Sequence, residues 1–464
     1  MSTTTGVFKA ENATSWRDEL RLQSRVTIPL TIAFLVELGI YFTDLLVVGR
    51  LGALPLGAVG LAGGVIWELT YAGFSVLMIV GVVVAHSYGA GRKEDVASGA
   101  RAGLLTALVI SVPWMLLGWY LTDIMALTDQ DPEVMAVGQE YLRAMIWHIP
   151  ASFMFMALRQ VVTGLSRPLV ITVIMIAAVP INLALNIVLV FGWAGIPALG
   201  VAGAGIATAL VAWIKLALLI IYLVRHPELK EFSPFRNLHR IDFVMWLQIW
   251  RLGLPVAAVR IVEGSMFQVT LLMMGAFGAT ALAASTVMVG ALNLSVTIAV
   301  SFGHGASVRV AQELGGGHVL ASQRAGWLAE IAILTIVVPI ALFLCVAPDF
   351  VTSIILDPDN PANAATFELV RELRWIAALF ALVQAVEVVI TRALRGRKDT
   401  MVPMLMAAAG FWAAGIPCAL LLSRTAGMGP MGLWIGMTVG FGVTAALMLT
   451  RWQKLPDVKT GAAP

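Results

Sequence analysis

Charge is what this sequence has least of. Of its 464 residues only 12% are charged, 59% are hydrophobic, and the mean hydropathy is +0.89. A soluble domain carries about 25% charged residues, so a water-covered globule is excluded. Cysteine is nearly missing: Cys345 and Cys418 both lie in apolar runs, which excludes a disulfide framework or a thiolate metal site and leaves small packing residues. The six histidines are scattered, which argues against a metalloenzyme centre built on clustered imidazoles. The Gly89-Ala90-Gly91 and Gly315-Gly316-Gly317 turns lack the Lys-Ser/Thr of a P-loop, so ATP is not the expected energy source. A net charge of +3 with no charged tail points away from nucleic acid. The polar stretch Met1 to Gln23 has no apolar h-region and reads as no cleaved signal peptide.

Long apolar runs are abundant. Twelve can cross about 30 Å of hydrocarbon: 26–48, 57–84, 102–122, 139–163, 169–193, 201–224, 252–275, 282–308, 325–347, 369–391, 401–423 and 430–450. Runs this long and uniform are helices, not barrel strands. Ahead of them, Thr14-Ser15-Trp16-Arg17-Asp18 reads as a capped helix start, opening a short amphipathic helix on the cytosolic side. Basic residues set the orientation. The N-terminus and the even-numbered loops hold 23 of the 30 Lys and Arg, among them Lys93, Arg159, Lys230, Arg309, Arg392 and Lys398. The other side keeps Arg50, Arg371, Arg374 and Arg424 beside acidic loops with Asp129, Asp131, Asp357 and Asp359. Both termini are therefore expected in the cytosol and the chain in the plasma (inner) membrane.

The chain is also duplicated. Residues 25–91 align without a gap on 251–317, offset by 226, with 18 of 67 positions identical, including Arg25/Arg251, Pro29/Pro255, Glu37/Glu263 and Gly52/Gly278. Later helices correspond at an offset of 229, with Leu165 on Leu394 and Gly203 on Gly432. Six spans per copy is an even number, so the repeat is parallel, with its pseudo-two-fold axis along the membrane normal. The expected architecture is an all-α integral membrane protein: a cytosolic segment 1–25, an N-lobe 26–224 of spans 1–6, a basic linker 225–250 with a Ser233-Pro234 break, a C-lobe 251–451 of spans 7–12, and a cytosolic tail 452–464.

Ionisable residues inside spans are costly and mark function. Glu37 lies 12 residues beyond Arg25, about 18 Å along the helix and near the midplane; Glu263 has the same depth in the second half. Asp44 follows Glu37 by seven residues on nearly the same face, with Tyr41 between and Thr270 as the counterpart of Asp44. Gln384, Glu387 and Thr391 share one face of span 10. Each has a plainer reading. Arg260, one turn before Glu263, neutralises it as a structural pair; Glu387 snorkels to the interface; Asp44 braces an irregular helix; Glu37 is a relic of the duplication. Glu68 and Glu330 read as structural or interfacial, and His304 as a packing residue rather than a proton shuttle.

Several segments together resemble the multidrug and toxic compound extrusion (MATE) family: Thr43-Asp44-Leu45-Leu46-Val47-Val48-Gly49-Arg50-Leu51-Gly52, Ala85-His86-Ser87-Tyr88-Gly89-Ala90-Gly91, Arg251-Leu252-Gly253-Leu254-Pro255 and Arg392-Ala393-Leu394-Arg395-Gly396. The resemblance covers essentially the whole chain. It implies two six-helix lobes that export cationic and amphipathic compounds in antiport with Na⁺ or H⁺, with Asp44 as the first-span acid and Glu263 as the span-7 glutamate. Two positions depart from the family pattern. After Leu185-Asn186, Val190 stands where many members have an acid, and Gln384 stands where the sodium-linked branch often has an aspartate. Glu387, one turn on, is its candidate replacement.

The sequence thus reads as a secondary active antiporter rather than an enzyme, with no cofactor and a coupling cation that is H⁺ or Na⁺, a sodium ion falling at Glu263 and Glu387. Glu263, Glu387, Gln384, Asp44, Glu37, Tyr41, Asn186, Arg260 and Thr270 are the candidate cleft residues. Partners are small molecules and membrane lipids, and the chain reads as a monomer. The alternatives are a flippase of a lipid-linked precursor, which needs a more basic centre than the single central Arg260, and an integral-membrane enzyme. Single-cysteine labelling of intact cells tests the orientation: Lys93→Cys, Lys230→Cys and Lys398→Cys stay protected from an impermeant thiol reagent, whereas Asp129→Cys and Asp357→Cys react. External reaction at 93 or 230 would defeat it.

Overall fold

The computed structural model describes residues 13–125, 127, 131–193, 195–227, 229, 235, 240 and 242–454. The N-terminal stretch 1–12, Asp129, Lys230, the Ser233-Pro234 break and the tail 455–464 lie outside the described residues. Every regular element among the described residues is helical: α1 (Trp16–Gly49), α2 (Ala53–Gly89), α3 (Lys93–Trp119), α4 (Leu121–Met125), α5 (Pro132–Met145), α6 (His148–Gly164), α7 (Leu169–Phe191), α8 (Gly200–Arg225), α9 (Phe243–Gly275), α10 (Ala279–Gly315), α11 (Val319–Val346), α12 (Pro348–Ser353), α13 (Ala364–Gly396), α14 (Met401–Ala408), α15 (Ile416–Leu420) and α16 (Gly429–Lys454), with π-helical turns before and after α15.

Eleven spans are long and apolar enough to cross a membrane, and the bent pair α5–α6 makes the twelfth. The fold is thus all-helical, with twelve membrane-spanning segments. Span 4, expected as one helix, is two helices meeting at 50°. Pro150 in the first turn of α6 has no N–H to continue the ladder from α5, and His148 Nδ1 instead lies 2.8 Å from the Met145 carbonyl oxygen. The first span also differs. The expected amphipathic lead-in and span 1 form one helix of 34 residues. Its start is capped reciprocally: Ser15 N–H donates to Asp18 Oδ2 at 3.1 Å, and Asp18 N–H to Ser15 Oγ at 3.2 Å.

The chain divides into two compact units, Ile28–Ala257 and Ala258 onward, the second also claiming residues 13–27. In the first unit α2 packs on α3, α5 and α6, and α8 on α5, α6 and α7. In the second α13 packs on α10, α11 and α16, and α10 on α11. The duplication is visible to the residue. Helices α2 and α10 both contain 37 residues at the offset of 226, each preceded by a positive-φ glycine, Gly52 (116°) and Gly278 (101°), and α3 and α11 carry Pro113 and Pro339 at the same offset.

The later pairing needs one correction. Leu394 is not the partner of Leu165. Helices α6 and α13 end at Gly164 and Gly396, followed by left-handed Ser166 (58°) and Lys398 (62°). The closing turns repeat as Arg167 N–H to Val162 O and Asp399 N–H to Leu394 O. The offset here is 232, because the last turn of each helix must bring its glycine against the span two before it. A Cβ on Gly164 would stand 2.8 Å from Gly81 O, and one on Gly396 would stand 2.6 Å from Ser307 O. The Gly203/Gly432 pair holds, each crowded by neighbouring backbone 2.5 Å away.

Within the second unit, residues 13–27 are fastened by buried charge. Arg309, on α10, donates from Nε and Nη2 to the two oxygens of Glu19, each at 2.9 Å, and also pairs with Glu313. Ala13 N–H reaches Glu313 Oε1 at 3.3 Å. Arg309, placed above with the loop charges, is a core residue at 2% exposure. The close crossings predict stability: Gly164→Val and Gly396→Val should each cost about 1–3 kcal/mol through overpacking, read as a lowered unfolding temperature of detergent-purified protein. Gly57→Ala, where a Cβ meets nothing within 4 Å, should leave it unchanged.

Candidate functional site

Each unit contains its own cluster of polar side chains within apolar helices. In the first, Asp44 of α1 faces α7. Asp44 Oδ1 accepts from Asn182 Nδ2 at 2.9 Å and from Asn186 Nδ2 at 2.7 Å. The two asparagines are one turn apart and fully buried. Asn186 Nδ2 also reaches the Asn182 carbonyl at 3.1 Å. Asn182 Oδ1 and Asn186 Oδ1 are buried without a donor. Asp44 is therefore met by two amide donors, which compensate its carboxylate without a basic side chain in direct contact. Val190, one turn on, is buried and apolar.

Glu37 is paired with Arg159 of α6, Nη1 to Oε2 at 3.3 Å. Arg159 also stacks over Phe34, 4.3 Å from the ring centroid. Lys215 of α8 completes the group: its Nζ lies 5.6 Å from the centroid of Phe155, and it interacts electrostatically with Glu37, Asp44 and Arg159. Tyr41 is half exposed, with its ring edge on Phe42, and is not among the groups bonded to Asp44.

In the second unit Glu263 of α9 and Glu387 of α13 are electrostatic neighbours. Glu387 is 3% exposed, and Thr391 Oγ1 donates to its Oε1 at 2.7 Å. Gln384, one turn earlier, is also buried. Arg260 Nη1 stands 4.0 Å from Glu263 Oε2, a loose contact of a one-third exposed guanidinium. Arg392, in the same helix as Glu387, acts on both glutamates and donates to Val388 O at 2.8 Å. Thr270 is buried, and its hydroxyl donates to Met266 O within its own helix. Among the described residues no three His, Cys, Asp or Glu side chains converge as metal ligands.

The candidate acids are therefore brought together with partners, but several partners were not anticipated. Sequence patterning does not single out Asn182 or Lys215, and it places Arg159 and Arg392 with the loop charges. Arg260 is not the only central base. An i, i+4 asparagine pair and a lone lysine within apolar runs were the available signals.

Twelve apolar spans in two units related by a parallel repeat, each with acids buried among its helices, define a multi-pass membrane protein of the duplicated six-helix class. The family model described as MatE matches residues 29–188 and 255–421, and the chain belongs to this family, the MATE family. It is 32% identical over 468 residues to the "Probable multidrug resistance protein NorM" of Rhizobium meliloti, covering 100% of this chain and 99% of that one. Its identity to the protein of the same name from Brucella suis is 29% over 444 residues, 95% and 94% of the two chains. Among solved structures it superposes on the eukaryotic MATE transporter AtDTX14 with a TM-score of 0.84 at 20% identity, covering 96% and 97%. The bent form of the Vibrio cholerae MATE transporter VcmN gives 0.84 at 16%, covering 95% and 98%.

The Glu37–Arg159 pair yields a double-mutant test. Removing one partner of a buried ion pair strands the other. Arg159→Gln should destabilise the protein by about 2 kcal/mol, and adding Glu37→Gln should recover at least half of that, a coupling in the range of neighbouring charges, about 0.5–3 kcal/mol. Additive losses in thermal unfolding would mean that the pair contributes nothing.

Proposed function

We propose that this chain is a secondary active antiporter that exports small cationic or amphipathic organic compounds in exchange for H⁺ or Na⁺, by alternating access of its two lobes. It would sit in the plasma membrane with both termini in the cytosol. The observation that carries the reading is the cluster of Glu263, Glu387, Gln384 and Thr391 inside the helices of the second unit. A carboxylate in a low-dielectric setting resists ionisation unless a cation or a donor compensates it. Such a site takes up H⁺, or Na⁺ with neighbouring oxygens, and releases it when solvated. A cationic substrate competes for the same negative charge, and that competition is antiport in electrostatic terms. The loose Arg260 contact leaves Glu263 available for it.

The names of the NorM relatives agree with export of drug-like compounds. The flippase alternative gains no ground from the extra bases, because Arg159 and Lys215 stand beside Glu37 and Asp44, so the charges of that group balance. The first unit supports the cycle through Asp44 and its asparagines, and the second carries the coupling.

Reconstituted protein tests this. Efflux from proteoliposomes should follow an imposed proton or sodium gradient, ignore ATP, and stop when both gradients are collapsed. Glu263→Gln keeps the side chain's shape and removes its charge; it should fall to the level of empty liposomes while the protein remains folded and inserted. Asp44→Asn should retain partial transport. Normal efflux by Glu263→Gln with a dead Asp44→Asn would move the coupling to the first lobe.

A further inference from the structure

Glu330 has no part in the site described so far. It lies within α11, 11 residues from the start of the helix at Val319, about 16 Å along its axis. Glu387 lies nine residues before the end of α13 at Gly396, about 14 Å along that one. The antiparallel arrangement of successive spans brings the two to similar depth, and α11 packs directly on α13. Glu330 is 4% exposed, and both its carboxylate oxygens are buried without a hydrogen-bond partner. A charge in that position costs several kcal/mol unless something neutralises it.

The neighbouring charges do not. Of the ionisable groups, Glu387 is the one that acts on Glu330, and it has the same sign. Helix α10 also packs on α11; its ionisable groups are His304, Arg309 and Glu313, and the last two pair with each other and with Glu19. On α12, Asp349 is held by Arg371 at 2.7 Å. Arg392 and Arg395 act on Glu387, as does Glu263.

The duplication supplies an independent argument. At the offset of 226 the counterpart of Glu330 is Leu104, and at 232 that of Glu387 is Phe155. Both are buried apolar residues at the α3–α6 crossing of the first unit. The same crossing is thus built without carboxyl groups in one half. Packing does not require Glu330, and its burial cost calls for a ligand.

We propose that Glu330 is a cation-binding residue of the second lobe, the partner of Glu387 on the neighbouring helix, and that a monovalent cation, H⁺ or Na⁺, occupies the space between α11 and α13 shared by these two side chains. This deepens the antiporter reading and rests on it. The bound cation neutralises the stranded charge of Glu330, and its departure is what an incoming organic cation at Glu387 would drive.

The test uses full-length protein in detergent and in proteoliposomes, with ethidium as the organic cation. Proton release on ethidium binding is followed with a pH dye in weak buffer, and sodium release with ²²Na⁺. Wild type should release one of the two cations, about one per ethidium bound if the two carboxylates share a single site. Glu330→Gln should lose at least half of that release, and the dependence of efflux on that cation should flatten, whereas Glu330→Asp should retain both. If Glu330→Gln is not recovered as monodisperse protein, Glu330→Leu, which copies Leu104, takes its place. A Glu330→Gln protein with wild-type release and cation dependence would overturn the proposal, and with Glu387→Gln inactive it would do so while leaving the antiporter reading intact. Loss of neither property in Glu387→Gln would sink the proposal and remove Glu387 from the coupling site; an efflux that ignores both gradients is what would sink the antiporter reading.

Discussion

Everything in this protein turns on the cost of placing charge where water is absent. With 12% charged residues in the whole chain and most of them outside the spans, few ionisable groups lie within the apolar runs. Each ionisable group within a helix must find a partner or a ligand. Several do so across helices: Glu37 with Arg159, Asp44 with two asparagines, Arg309 with Glu19. These contacts are the directional interactions in a core otherwise made of small and apolar side chains. They fix which helix faces meet, because hydrophobic contact alone has no preferred rotation inside a bilayer.

Backbone proximity is the second constraint, and it accounts for the glycines. At Gly164, Gly396, Gly203 and Gly432 a side chain would meet carbonyl or amide atoms of a neighbouring helix. The π-helical turns of span 11 belong to the same economy of space. A Cβ on Gly415, within the first turn, would stand 3.0 Å from the Cα of Gly440 on α16. Small residues let helices approach closely enough for dispersion to act in the absence of a water-driven force. The repeat preserves these points more faithfully than it preserves chemistry, since geometry is common to both halves.

The sequence made the spans legible because hydropathy is a local property. It made the first part of the repeat legible because α2 and α10 have equal length. It failed where the answer depends on a second helix. Leu165 was set on Leu394, three residues out, because the register of α13 is fixed by where Gly396 meets Ser307, which no local pattern records. Arg159 looked like a loop residue because it lies near the end of its run, yet the bend at Pro150 and the crossing with α1 place it against Glu37. Asp44, Glu263 and Glu387 are recognisable as acids within apolar spans, and Asn186 through its resemblance to the family's span-5 motif. Asn182 was not, although it stands one turn from Asn186, because an amide signals a partner only after the carboxylate it serves is placed opposite.

The contrast between the halves shows how a duplicated scaffold divides labour. Glu37 and Glu263 descend from one position and sit in different company. The first is held by a buried guanidinium at 3.3 Å, whereas the second meets Arg260 loosely at 4.0 Å and interacts electrostatically with Arg392. A tight pair keeps its carboxylate occupied, so it is suited to holding helices together. A loose one leaves the charge open to a mobile cation. The same division recurs one layer deeper, where Leu104 and Phe155 fill the crossing that Glu330 and Glu387 share in the second half. Once one copy secures the fold with paired or apolar contacts, the other is free to hold uncompensated acids at the same depth. An acid buried without a hydrogen-bond partner, as Glu330 is, destabilises the copy that holds it, and that cost is what the proposed cation would offset.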